Sequence, residues 1–450
     1  MNTFEVAQRA AGRAGPGALA LVTRERSLLL RFAGSRPTQS TGIDDVTVEL
    51  ALPLRGNVGR ASTNAVDDES LADCAARARL AAEAAEATHD GSFPGFHPDY
   101  DVAAIDSFDP ATAELDPAGG GSALADAFVE ADARGVEAHG IWTVAEQDQA
   151  WATDRGGGEE RRTDAFMKVI CIAPNGRSGY ASEAAVAASA LSPVTLTERA
   201  ALKASTPAEP VELSPGEYTV VFEAQAVGWL LDLLGETAFN GLAHAEGRGA
   251  LAGRLREAVA APAINLSDSP ASARTLRRSF DAEGTRKAPV PLIQDGVAYG
   301  VAHDLRSAAL AGAESTGHAL APGGDPGGPH PTNLVLAGGG AANDGELCGP
   351  VERGIYVTRL WYANVVRPKE TLITAVTRDG TFLIEDGRVT RPLRDLRLTD
   401  SVLAILSRTQ DLTRDQKLTS DGEFYGRRFA YGVVCPALRA HAVRFTGAAG

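Results

Sequence analysis

Residues 354–408, GIYVTRLWYANVVRPKETLITAVTRDGTFLIEDGRVTRPLRDLRLTDSVLAILSR, set the expected architecture of the C-terminal half. Asp379-Gly380 and Asp386-Gly387 are dipeptides that favour the positive φ angles of two-residue hairpin turns, and each lies between β-branched and apolar runs. The pattern predicts a three-strand meander. In its first strand Leu372, Thr374 and Val376 alternate with Ile373, Ala375 and Thr377; in its second, Phe382 and Ile384 oppose Leu383 and Glu385. Apolar residues on both faces of the first strand imply a central position covered on both sides. Thr399 or Asp400 is the expected cap of a short helix carrying Val402, Leu403 and Leu406.

Working outward, the same half opens with a strand at 218–222 and a helix presenting Ala226, Trp229, Leu230, Leu233 and Leu234 on one side. VPLIQDG at 290–296 reads as a short strand and turn, 321–331 as a long Gly/Pro-rich loop, and 333–336, 432–439 and 443–445 as further strands. Prolines 207, 210 and 215 interrupt regular structure. We place the domain boundary there, with an N-terminal α+β domain of sheet and packed helices (1–205) and a C-terminal domain dominated by antiparallel β-sheet (206–450).

In the N-terminal part, a short helix at 4–12 precedes two expected strands, 19–22 and 28–32, and a third in which Val46, Val48, Leu50 and Leu52 alternate with other residues. A helix from Asp67 carries a narrow buried stripe of Leu71, Cys74, Ala75, Ala78 and Ala82. Residues 91–121 read as loop, with Ser122 capping a helix whose inner face is Leu124, Ala127, Phe128 and Ala131. Strands at 140–151 and 166–173 flank a polar turn at 154–163, and 181–205 reads as helical.

The chain has 450 residues, 44% of them hydrophobic and 22% charged, the balance of a globular protein. No run is apolar enough to span a bilayer and the N-terminus has no signal-peptide core, so the cytoplasm is the default compartment. A net charge of −15 argues against nucleic acid as a partner. Cys74, Cys171, Cys348 and Cys435 fit no Cys-x-x-Cys pattern and read as buried thiols.

GIYVTRLWYANVV, TLITAVTRDGTFLIEDGRV and LTDSVLAIL, in that order, resemble the C-terminal domain of the TldD/TldE (PmbA) metalloprotease family. LLLRFAGSRPTQSTGIDDVTVELAL, GRASTNAVDDESLADCAARARLAAE and SFDAEGTRKAPVPLIQDGVAYGVAHDLRSAALAGAESTGHA are similar to its earlier sections. The resemblance implies a helix that, in catalytic members, carries His-Glu-x-x-x-His. Two imidazoles about a turn apart bind Zn²⁺, and a carboxylate activates the bound water. Here the corresponding helix reads VGWLLDLLGET, with Asp232 and Thr237 at the histidine positions, and no two of the eight histidines lie within five residues of each other. The chain is therefore similar to the TldE-type subunit, with no cofactor of its own and zinc expected in a TldD-like partner. The implied substrates are unfolded peptides such as leader peptides of modified natural products. The alternative is a stand-alone metallopeptidase with a rearranged metal site, for which His318, His330 and Cys348, with Glu283, are the candidate region.

Neither a Gly-x-Ser-x-Gly elbow nor a phosphate-binding glycine loop is present. Asp281 and Glu283 read as a solvated turn rather than an acid/base pair. Trp361, Tyr362 and Asn364, at the rim of the expected sheet, are candidates for contacting an extended peptide, with core packing of Trp361 as the plainer expectation.

Overall fold

A computed structural model describes residues 1–86, 91–420 and 428–448. Its first strand, β1 (Leu19–Phe32), is one continuous element where two were expected. The polar middle stays in the ladder because its side chains find partners across it: Arg24 pairs with Asp44 at 2.8 Å, and the buried Thr23 accepts from Gln149 at 3.2 Å. Beside it lie β2 (Pro37–Leu54), β3 (Asn57–Thr63), β4 (Glu137–Thr153), β5 (Gly156–Ile172) and β6 (Ser178–Ala185), in the antiparallel order β3-β2-β1-β4-β5-β6. The expected long turn at 154–163 shrinks to Asp154-Arg155, since residues from Gly156 onward pair with β4. Likewise 181–185 is strand rather than helix.

Helices α1 (Thr3–Ala14), α2 (Asp68–Glu86), the single turn α3 (Pro110–Ala113), α4 (Pro117–Ala133) and α5 (Pro193–Ala204) accompany this sheet. The α2 stripe is buried as its small side chains predict, and β3 approaches so closely that a Cβ at Gly59 would lie 2.0 Å from the Ala78 carbonyl oxygen. The three glycines read as loop fall inside α4, which is capped by Asp116 rather than Ser122. Gly120 serves packing, because a Cβ there would sit 2.7 Å from Leu30 and 2.8 Å from Trp142.

Beyond α5 the strands are β7 (Gly216–Phe222), β8 (Leu266–Asp268), β9 (Val290–Gln294), β10 (Val297–Ala298), β11 (Leu334–Leu336), β12 (Arg353–Arg367), β13 (Leu372–Glu385), β14 (Arg388–Pro392), β15 (Leu396–Ser401), β16 (Thr409–Leu412), β17 (Lys417–Thr419), β18 (Val433–Cys435) and β19 (Leu438–Ala448). The helices are α6 (Ala224–Thr237), α7 (Gly241–Ala245), α8 (Leu305–Ala311), α9 (Asp344–Cys348) and α10 (Val402–Ser407). One sheet runs β10-β9-β8-β11-β18-β17 and the other β12-β7-β19-β15-β13-β14. Because β12 also pairs with β13, five strands of the second sheet close on themselves. Apart from the β7–β12 and β11–β18 pairs the ladders are antiparallel, and the whole is an α+β architecture. Helix α6 shares one apolar cluster with both sheets and is buried on nearly every side, not along a single stripe.

The two Asp-Gly pairs part company here. Asp386-Gly387, both at positive φ, form the expected two-residue turn from β13 to β14. Asp379-Gly380 make no turn: β13 runs through them as a bulge, with these two residues opposite Thr358 alone. Asp379 is held there by Arg359, whose Nε donates at 2.9 Å, and by Ser178. The meander therefore has one long strand in place of its first two. The α10 cap is not Thr399 or Asp400 but Ser401, the last residue of β15, whose hydroxyl accepts from the Ala404 amide.

Contacts join the parts before and after residue 205. Trp151 meets Phe280 edge to face, and the buried Arg428 reaches over the first sheet to pair with Asp164 and donate to Thr143 at 2.9 Å.

Candidate functional site

A cleft between the first sheet and the loops above α6 is lined by residues including Gln149, Arg278, Asp281, Lys287, His318 and His330. Behind His330, helix α6 contributes Asp232. The Gly/Pro-rich 321–331 loop folds back so that the His330 ring rests on α6 at Gly235, where a Cβ would lie 2.5 Å from it. His330 Nε2 is 3.1 Å from one Asp232 oxygen, and Tyr431 donates to the other at 3.3 Å. Thr237, one α6 residue further along the histidine-motif spacing, is buried and donates its hydroxyl proton to the Leu233 carbonyl at 2.7 Å.

Below this lies a buried charged group. Asp268, at the end of β8, accepts from the Asn333 amide at 2.7 Å, with Lys287 Nζ 3.9 Å and His318 Nε2 3.1 Å from its other oxygen. The imidazole approaches off the line of a hydrogen bond. Burial alone would raise the Asp268 pKa, yet Lys287, His318 and the Asn333 amide together hold it down to about 2. Burial, and then the Lys287 charge, push the His318 imidazole below its ordinary value; its Nδ1 faces Thr316 Oγ1 at 2.9 Å.

Asp281 and Glu283 are not a solvated turn. Both are buried. Asp281 accepts from the Glu283, Thr285 and Ala319 amides at 2.9 to 3.0 Å, which ties the 281–285 turn to the loop just beyond His318. Burial pushes its carboxyl up to about 6 in spite of those bonds. Burial, reinforced by the charges of Asp281 and Asp304, raises Glu283 well above the carboxylate range. One Glu283 oxygen accepts from the Leu305 amide at 2.9 Å while the other has no partner among the described residues.

The structure brings His318 and His330 to the same cleft but leaves Cys348 elsewhere, in α9 beneath an apolar cluster with Val221, Leu347 and Ile384. Burial pushes the Cys348 thiol up to about 11. Cys435 is buried against the Ala224 carbonyl. His89 lies outside the described residues. Among the described residues no group of three or more His, Cys, Asp and Glu is placed to hold a metal ion. The donor set over α6 does not fit zinc: Asp232 and His330 face each other as a pair, and the third position offers a hydroxyl already spent on the helix backbone.

Trp361, Tyr362 and Asn364 lie on the part of β12 beyond its pairing with β7, which stops at Val357. Trp361 is half-buried and stacks over Arg359 at 4.9 Å. Tyr362 is 71% exposed at φ 47°, with Asn364 donating to its carbonyl at 2.9 Å, so the bulge turns the phenol outward. Asp268, Lys287 and Tyr431 were missed by sequence reasoning. Lys287 had a local signal, following the Asp-Ala-Glu-Gly turn by three residues; Asp268 and Tyr431 had none, since their partners are distant in the chain.

The profile of the PmbA/TldA metallopeptidase C-terminal domain matches residues 215–447, just over half of the chain. The chain belongs to this family. A metalloprotease of Methanothermobacter thermautotrophicus is 28% identical over 218 residues, covering 48% of this chain and 46% of that protein, so the match spans about half of the relative. TldE from Thermococcus kodakarensis superposes with a TM-score of 0.83 at 18% identity, over 96% of each chain. A Thermotoga maritima protein does so with 0.80 at 19%, over 95% of each. At these identities the structural matches establish that the PmbA/TldA-family fold extends over nearly the whole chain.

Proposed function

We propose that this PmbA/TldA-family chain is the TldE-like, non-zinc subunit of a two-subunit zinc metalloprotease. It walls the chamber in which a TldD-like partner holds the metal and cleaves unfolded peptides, leader peptides among them. The observation that carries the reading is the state of the α6 helix. At the two positions where the family resemblance calls for zinc-binding histidines, Asp232 is engaged by His330 and Tyr431, and Thr237 is bonded to its own helix. Each side chain is committed to an internal contact that stabilises the cleft wall. The exposed Tyr362 rim is where this subunit would meet an extended peptide through a free strand edge and an aromatic surface. The domain boundary at 205/206 and a cytoplasmic location belong to the same proposal. No helix among the described residues is long and apolar enough to cross a membrane.

The test is zinc per chain by mass spectrometry, on the purified chain alone and after co-expression with a TldD-like chain of the same organism. The expected result is near-zero zinc alone, with metal and peptidase activity appearing only in a co-purifying complex. Stoichiometric zinc and chelator-sensitive cleavage by the lone chain, abolished by His318→Ala, would establish the stand-alone enzyme instead. Failure of the two chains to associate would remove the subunit assignment.

A further inference from the structure

A second polar cleft, of about 320 Å³, opens where α5 meets α6, on residues that the proposed function does not use. Its floor is Glu223, the buried residue preceding α6. One carboxylate oxygen of Glu223 receives Lys203 Nζ at 2.7 Å, the Tyr356 hydroxyl at 2.8 Å and the Thr358 hydroxyl at 3.0 Å. The Tyr356 oxygen is also 2.8 Å from Oδ2 of Asp344, the first residue of α9. A phenol has one hydrogen and cannot donate to two carboxylates. Were both ionised, one of these 2.8 Å contacts would set two oxygens against each other with no proton between them.

We propose that Asp344, Tyr356 and Glu223 share one additional proton, carried by Asp344, and that it acts as a pH-sensitive latch fastening α9 to the junction of the two halves of the chain. Three donors converge on Glu223, so Glu223 is the ionised member; Asp344 then donates to the Tyr356 oxygen while Tyr356 donates to Glu223. Burial, followed by the Glu223 charge, raises the Asp344 pKa in the same direction. Burial works most strongly against the ionised form of Glu223 too, but Lys203, Arg199 and the Tyr356 hydroxyl together hold the carboxyl below its ordinary value.

The charged groups around the latch come from every element that packs on it. Lys203 and Arg199 of α5 and Lys417 of β17 favour ionisation of Asp344 or Glu223, while Glu183 and Asp415, on the cleft lining, carry the opposite charge. Arg439 donates to the Leu347 carbonyl at the far end of α9, and the Cys348 thiol is buried beneath it. A carboxyl whose pKa is raised in the closed state binds its proton more tightly there than in the open state. Opening therefore grows as pH climbs from the ordinary Asp range through the raised value, by at most about tenfold per pH unit for one proton. Once Asp344 has ionised, the Tyr356 hydroxyl can serve only one of the two carboxylates, and α9 is left to its apolar contacts and the Arg439 bond among the described residues.

Hydrogen exchange of the 341–351 segment, normalised to intrinsic rates and followed from pH 4.5 to 8, tests this. In the unmodified chain, opening of the segment is expected to rise with pH, by no more than about tenfold per unit, and to level off above the raised value. In Asp344→Asn it is expected to be flat, because the amide donates to Tyr356 at every pH. An equal slope in both proteins, or no slope in either, overturns the latch. Tyr356→Phe provides a second check if Asp344→Asn does not fold: loss of the shared hydroxyl predicts more opening at low pH and a shallower slope, and opening equal in level and slope to that of the unmodified chain again overturns the proposal.

Discussion

The cleft over α6 and the rim of β12 are both rich in the side chains that functional sites use, yet their energetics are opposite. In the cleft, Asp268, Lys287, His318, Asp281 and Glu283 are buried and held by one another or by backbone amides. At the rim, Tyr362 is exposed, no strand among the described residues pairs with that edge beyond Val357, and Asn364 donates to the carbonyl of the left-handed Tyr362. Polar groups buried at a cost must be paired to be tolerated, so the cleft contributes to the stability of the fold before it contributes anything else. A rim that gives the fold little is free to serve a ligand.

Five substitutions test that contrast, and the largest effect belongs to the cleft. Asp268→Ala leaves Lys287 and His318 without their carboxylate and is expected to cost about 3–5 kcal/mol in denaturant unfolding. The related Asp268→Asn should flatten the acid limb of the stability curve. The Asp268 carboxyl is depressed to about 2, so its contribution is complete above the ordinary Asp range and is lost as pH falls toward that value. Gly235→Ala drives a methyl into the His330 ring and should cost about 1–3 kcal/mol, with the His330 ring resonances shifting as the ring leaves Asp232. Asp232→Asn keeps the shape but weakens the bond to His330, for about 0.5–1.5 kcal/mol. Smallest is Tyr362→Asn, expected within about 0.5 kcal/mol of the original, because asparagine tolerates a left-handed backbone better than tyrosine. The same variant should weaken capture of an unfolded peptide by the complex. If it unfolds the protein as Asp268→Ala does, the rim is a structural element and the contrast fails.

How far the site was legible depended on whether each cue was local. The α2 stripe was read correctly because a helix's buried face recurs along its own sequence. Asp386-Gly387 was read correctly because a two-residue turn is specified by its own φ preferences. The identical Asp379-Gly380 was misread as a turn, since its fate rests on Arg359 and Ser178, the latter 201 residues away. Asp281 and Glu283 read as solvated in the sequence for the same reason: nothing near them in the chain announces the Ala319 and Leu305 amides that donate to them. The glycines of α4 looked like a loop until Leu30 and Trp142 showed what they make room for.

The amino-acid sequence alone determined the α+β class, the family resemblance and the absence of any histidine from α6, because periodicity, turn chemistry and motif spacing are properties of short stretches of chain. Tertiary structure decided that Asp232 is paired with His330, that Cys348 lies away from both cleft histidines, and that Asp344 and Glu223 meet on the one Tyr356 hydroxyl. Burial and proximity set the protonation and partners of a polar group, and both arise only when distant segments are packed together.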